Sequence, residues 1–208
     1  MSILLLLKNG SMIWPHLALV LFYALHSLLA DTSVKLKLYA FLPQRWYRLG
    51  YNVFSVVSLG ACLYLYWQTT KSFIFFQSLW LIMIGISLLV AGISLLVLAL
   101  KGYDTGAFIG ISVEKEGETL KTDGWNGIVR HPIYLAVFLI IWGLFLAVPM
   151  DIFLGMALIT TGYIYVGIWL EERKLKRQFG VLYEEYQRKV PMLLPAIKCL
   201  RLKLFTRK

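Results

Sequence analysis

Five stretches long enough to cross a bilayer contain no Lys, Arg, Asp or Glu: 9–30, 49–70, 72–100, 132–150 and 152–170. A membrane-spanning helix needs about 20 mostly apolar residues. Lipid offers backbone polar groups no partner outside the helix itself, so each stretch is expected to be a spanning helix. Strands of an outer-membrane barrel alternate apolar and polar positions over about ten residues, a pattern these unbroken runs lack. The run 72–100 is longer than a bilayer requires and is read as tilted, or as starting with an interfacial segment at 73–76. Runs four and five are separated by little more than Pro149, Met150 and Asp151, which predicts a tight helical hairpin. The apolar segment 3–7 is too short to span. Lys8 follows it instead of preceding it, so it lacks a signal-peptide layout.

Composition agrees with this pattern. Of 208 residues, 59% are hydrophobic and only 15% charged, against roughly a quarter charged in a soluble domain. An ordinary cytosolic enzyme, a disordered tail and a disulfide-stapled secreted domain are excluded. The expected fold is all-α, a polytopic helical membrane protein with five transmembrane helices in a single membrane domain over 1–208. Within it, 1–100 forms a three-helix scaffold, 101–131 a cytoplasmic loop, and 132–195 a helical hairpin with an interfacial tail that forms the site.

The basic residues orient this arrangement. Nineteen of the 21 Lys and Arg fall on the side holding the first connection, the third connection and the C-terminal tail, and only Lys8 and Lys71 fall on the other. The positive-inside rule places the nineteen in the cytoplasm, with the N-terminus outside and the C-terminus inside. A net charge of +10 is then a basic rim beside anionic lipid and calls for no nucleic-acid partner. The expected location is the inner or plasma membrane.

Polar residues concentrate in the back half. The third connection holds Gly102, Gly106, Gly110, Gly117, Gly124 and Gly127 with Asp104, Glu114, Glu116, Glu118 and Asp123, a length usually functional or disordered. The spacing of its first three glycines imitates a helix-dimer motif, but flexibility at a polar boundary is the simpler reading. The tail from Glu171 to Val190 carries Leu175, Phe179, Leu182, Tyr183 and Tyr186 on one stripe. It reads as an amphipathic helix along the cytoplasmic interface, weakened at Gly180 by about 1 kcal/mol. The segment 190–195 stops it and supplies a short apolar plug.

Two clusters are suited to chemistry. Pro132 fits the first turn of a helix, which puts His131 near the N-cap with Arg130 before it. A helix N-terminus favours an anion, and a guanidinium fork matches a carboxylate. Glu171 and Glu172 form an acidic pair at the end of run five, against the local charge bias. The hairpin should bring Arg130 and His131 to Glu171 and Glu172. Such a grouping suits a zwitterionic ligand or a structural ion pair, and spacing alone does not choose. Cys62 and Cys199 lie in different settings, and His16, His26 and His131 are far apart, so no metal site is expected.

Arg130-His-Pro-x-Tyr134, Glu171-Glu172-x-x-Leu175, Phe179-Gly180-x-x-Tyr183-x-x-Tyr186 and Val190-Pro191-x-x-x-Pro195 occur in that order. This series resembles the isoprenylcysteine carboxyl methyltransferase family, whose wider group includes phospholipid and methanethiol methyltransferases. The likeness covers 122–195, including Thr122-x-Gly124-Trp125, with Trp where the family commonly has Tyr. The front half, with His26-Ser27-Leu28-Leu29-Ala30 and Arg48-x-x-Tyr51-Asn52, looks more like the methanethiol methyltransferase and NnrU-like branches and lacks an evident prenyl-enzyme signature.

The resemblance implies S-adenosylmethionine as cofactor, held between membrane helices at the cytoplasmic face. Arg130, His131 and Glu172 would be the catalytic residues, and Gly124, Trp125, Arg130, His131, Tyr134, Glu171, Glu172, Tyr183 and Tyr186 the cofactor site. By charge, Arg130 and the helix start suit the cofactor's carboxylate, and Glu171 or Glu172 its ammonium or ribose diol. The aromatic rings suit its adenine or, by cation–π attraction, its sulfonium. The expected acceptor is small or lipophilic, a thiol or a prenylcysteine-like carboxylate. Two other classes stay open: a haem-binding membrane protein with His26 and His131 as ligands, as NnrU-like relatives suggest, and a non-catalytic scaffold.

Overall fold

A computed structural model describes residues 13–69, 74–75, 78–101 and 119–195. Among these residues the chain is helical, in seven α-helices: α1 Ile13–Ala30, α2 Thr32–Tyr39, α3 Gln44–Trp67, α4 Leu79–Leu100, α5 Pro132–Ala147, α6 Asp151–Phe179 and α7 Val181–Lys189. A single 3-10 turn, Gly124–Gly127, precedes α5. The Gly102/Gly106/Gly110 spacing and Asp104, Glu114, Glu116, Gly117 and Glu118 of the third connection lie outside the described residues, as do Lys8, Lys71 and Cys199.

Helices α1, α3, α4 and α6 are each long and apolar enough to cross a membrane. The fourth expected span is shorter than its charge-free run, because α5 stops at Ala147 after 16 residues. Sixteen residues rise about 24 Å, less than the roughly 30 Å hydrocarbon core. The stop has a local cause. Val148 precedes Pro149, and proline pushes its predecessor out of the helical region. The freed backbone is used: Phe75 N–H donates to Pro149 O at 2.9 Å, and Ile74 and Met150 form an isolated antiparallel bridge. Among the described residues of the run 72–100, Ile74 and Phe75 are non-helical and helix α4 begins at Leu79. Charges likewise do not mark where α3 begins. It starts at Gln44, after Pro43, and includes Arg45 and Arg48.

The helices pack through small residues. A Cβ on Gly143 of α5 would lie 2.7 Å from Leu89 N and 2.8 Å from Gly85 O, and one on Gly92 of α4 would lie 2.9 Å from Ala136 O. Backbones α4 and α5 therefore touch directly, the contact by which membrane helices gain dispersion energy where lipid removes any hydrophobic drive. The predicted hairpin is α5–α6, and α1 packs against both α3 and α6. One core joins Leu95, Leu135, Ala136, Ile164 and Ile168 to Val129 and Leu193. Leu193 belongs to the expected apolar plug, which thus seals the end of the bundle.

The tail is not one helix from Glu171 to Val190. Helix α6 continues unbroken through Glu171 and Glu172 to Phe179. Gly180 then takes φ +52°, a left-handed conformation that costs glycine little and other residues more. The chain turns there into α7, whose Tyr183 and Tyr186 pack with Val190, Leu175 and Phe179.

Candidate active site at the open end of the hairpin

Arg130 and His131, just before α5, and the glutamates of α6 meet where the hairpin geometry puts them. Arg130 Nε and Nη2 each lie 2.8 Å from Glu172 Oε1, and His131 Nε2 lies 3.1 Å from the same oxygen. Gln187 Nε2 donates to the other oxygen, Oε2, at 2.8 Å. Burial raises the Glu172 carboxyl, but the hydrogen bonds from His131 and Arg130 and the guanidinium charge outweigh it, so the group titrates below the ordinary carboxylate value. An ionised carboxylate only accepts hydrogen bonds, so His131 carries a proton on Nε2.

Arg130 is occupied more fully than its sequence position suggested. Its Nη1 donates to Val190 O at 2.7 Å and to Gln187 O at 3.1 Å. Its backbone N–H donates to Pro191 O at 2.9 Å, and that of His131 to Met192 O at 3.2 Å. Arg130 thus anchors the end of α7 and the plug to the start of α5. Gln187, not expected from sequence, completes this layer. Its signal was present, fifteen residues beyond Glu172 on the next helix, but a Gln within a charged stripe carries no pattern of its own.

Glu171 is placed differently. Its side chain is 44% exposed against 17% for Glu172, and its Oε2 stands 3.7 Å from His131 Nδ1. Tyr134 lies in the field of the Glu171 carboxylate and packs edge-on to His131 at 5.7 Å. The Tyr134 hydroxyl reaches across α6 at Gly167, where a Cβ would stand 3.1 Å from it. One open carboxylate, one imidazole nitrogen and one phenol therefore share a partly open edge, backed by the closed Arg130–Glu172 pair.

The remaining expected site residues form a supporting layer. Gly124 opens the 3-10 turn with φ +55°, and Trp125 in that turn is exposed at 36%. Tyr186 is buried, and its hydroxyl donates to Asn126 O at 2.5 Å. Tyr183 is fully buried, and its hydroxyl has no hydrogen-bond partner among the described residues. Burial, followed by the field of Glu172, holds its pKa well above that of a free tyrosine. A depression of about 310 Å³ lies between this turn and α7, lined by Thr122, Gly127, Leu182, Glu185 and Tyr186 among others. It includes none of Arg130, His131, Glu171 and Glu172. No group of three or more His, Cys, Asp or Glu side chains suited to a metal occurs among the described residues.

Residues 16–199 match the sequence profile described as NnrU protein. The chain belongs to the NnrU family. Within curated proteins, it is 38% identical over 94 residues to methanethiol S-methyltransferase 2 of Bradyrhizobium diazoefficiens, covering 44% of this chain and 35% of that protein. It is 43% identical over 86 residues to methanethiol S-methyltransferase of Crocosphaera subtropica, covering 40% and 33%. The chain spans about a third of the length of these two relatives. A broader match, 29% identical over 207 residues, covers 88% of this chain and 75% of a methanethiol S-methyltransferase from a Pseudomonas species. No solved structure matches the chain significantly. These relatives agree with the membrane-methyltransferase resemblance of the ordered motifs, and the apolar helices of this NnrU-family chain mark it as an integral membrane protein.

Proposed function

We propose that this protein is an S-adenosylmethionine-dependent membrane methyltransferase that methylates a small or lipophilic thiol, with its site facing the cytoplasm. The observation that carries the reading is the half-exposed Glu171 carboxylate, flanked by His131 Nδ1 and Tyr134 and backed by a closed Arg130–Glu172 pair. It is supported by relatives that are methanethiol S-methyltransferases.

The residues present fit the cofactor. Glu171 offers a carboxylate for an ammonium or a ribose diol. Tyr134 and Trp125 offer ring faces, and the buried, unpaired Tyr183 hydroxyl offers a hydrogen bond. When bound, the cofactor supplies an electrophilic methyl on a positively charged sulfur. Glu172 and Arg130 act by position: their mutual bonds hold α6, α7 and the plug in register. Leu193 and Met192 of the plug keep apolar surface around the site, which excludes water from a displacement that depends on alignment. Haem ligation by His26 and His131 would require both imidazoles to leave their present hydrogen bonds.

A methyl-transfer assay with radiolabelled cofactor tests the reading. Purified protein should label methanethiol or a longer alkanethiol in preference to a prenylcysteine carboxylate or a lipid amine. Labelling of none of these overturns it.

A further inference from the structure

A second polar cluster lies inside the bundle, away from the charged pair. It joins α1, α3 and α6. Ser55 Oγ lies 3.1 Å from His26 Nδ1, and the Tyr51 hydroxyl lies 3.0 Å from His26 Nε2 and 3.2 Å from Nδ1. Beside it Ser27 bonds Tyr163 at 3.0 Å, Tyr23 bonds Thr160 at 2.8 Å, and the Tyr23 and Tyr163 rings stack at 4.0 Å. An ionisable residue within a spanning helix is expensive to keep and is a functional candidate by default.

The protons in this cluster can be assigned. Ser55 spends its single hydroxyl proton on Tyr51 O at 2.8 Å, so toward His26 its oxygen can only accept. His26 Nδ1 therefore carries the ring proton. In a neutral imidazole the lone pair is then on Nε2, and the Tyr51 O–H donates to it. The result is a base with a phenol in front of it. Both residues are only partly buried.

A stripe on α6 connects this cluster to the open carboxylate. Tyr163, Gly167 and Glu171 follow at intervals of four, on one helix face. Tyr163 meets Ser27, Gly167 makes room for the Tyr134 hydroxyl, and Glu171 meets Tyr134. The two sites therefore lie along one face of α6, about 12 Å apart on its axis, with Tyr134 in electrostatic range of Tyr51, Tyr163 and Glu171.

We propose that Tyr51 and His26 form the acceptor side of the active site and take the proton from a neutral thiol. The inference rests on the methyltransferase reading above and supplies the base that a neutral thiol, unlike a carboxylate, requires. In the step, the thiol S–H proton passes to the Tyr51 oxygen as the Tyr51 proton passes to His26 Nε2. The sulfur electron pair released forms the new S–CH₃ bond, while the methyl's bond to the sulfonium donor breaks. That bonding pair stays on the donor sulfur, which becomes a neutral thioether, and His26 is left as imidazolium.

The test uses the full chain in lipid nanodiscs, with His26→Gln and Tyr51→Phe. Two acceptors are compared, an alkanethiol and a thiophenol, the latter already ionised at neutral pH. General-base assistance contributes roughly a hundredfold or more, so both variants should lose about that factor with the alkanethiol and severalfold at most with the thiophenol. S-adenosylmethionine affinity by calorimetry should be unchanged. Independently, ¹⁵N-histidine NMR of the wild type should give a His26 signal with Nδ1 protonated and Nε2 bare. Tyr51→Phe keeps the ring, so it carries the comparison if His26→Gln does not fold. Equal losses with both thiols, no loss, or a protonated Nε2 in the neutral ring would overturn the assignment while leaving the methyltransferase reading intact. A wild type that methylates neither thiol would overturn both.

Discussion

Arg130 and Glu172, 42 positions apart, are joined through two guanidinium nitrogens that each lie 2.8 Å from one carboxylate oxygen. Their side chains are only 11% and 17% exposed, so the pair is worth more than a surface salt bridge. Glu172→Gln should therefore act mainly on stability. A hydrogen bond to a charged group contributes about 1.5–3 kcal/mol, and a corresponding fall in melting temperature in detergent is expected. A Glu172→Gln variant that melts with the wild type would show that the pair holds nothing together.

The same carboxylate sets an acid limit. Its folded-state pKa lies below the ordinary 4.5, so the unfolded chain binds the proton more readily. The stabilisation is complete above the unfolded value and is lost as pH falls through the lower folded value. Asp31, lowered by its bonds to the backbone N–H groups of Val34 and Ser33 at the start of α2, contributes with the same sign. Melting temperature should be flat from neutral pH down to about 5 and fall below it. Glu172→Gln should have a shallower acid limb than the wild type, and an identical limb would contradict the assignment.

The hairpin could be read from the sequence because two charge-free runs flank a short turn containing Pro149 and Asp151, and that geometry put Arg130 beside Glu172. The carbonyls of Gln187 and Val190 that enclose Arg130 could not be read, because main-chain acceptors leave no residue signature. Helix α5 proved shorter than its apolar run because hydropathy registers Val148 and Met150 but not the backbone effect of Pro149. His26 was visible in the sequence as part of a front-half motif and as a candidate haem ligand, and Tyr51 as part of a second motif, but their pairing was not. The His26 partners Tyr51 and Ser55 share one face of α3 at a spacing of four, but nothing in the chain states that α1 packs on α3.

Gly143 allows α4 and α5 to touch. Gly143→Ala places a methyl 2.7 Å from Leu89 N, and backbone cannot give way as a flexible side chain can. Overpacking of this kind costs about 1–3 kcal/mol. A lower melting temperature is expected, and a rise would mean that the helices have room to part.

The distribution of basic residues predicts the topology. In a chain with Cys62 and Cys199 replaced, single cysteines at Gln68 and Lys121 should react with an impermeant maleimide from opposite faces of sealed vesicles. Reaction from one face would remove the cytoplasmic placement of the site.

In the proposed site Glu171 holds S-adenosylmethionine and Glu172 holds the structure. Calorimetric titration of the cofactor into wild type and Glu171→Gln tests this assignment most directly. The wild type should bind saturably, and Glu171→Gln should bind about ten- to a hundredfold more weakly with its melting temperature unchanged. Equal affinity in both proteins, or no binding by the wild type, would contradict the assignment.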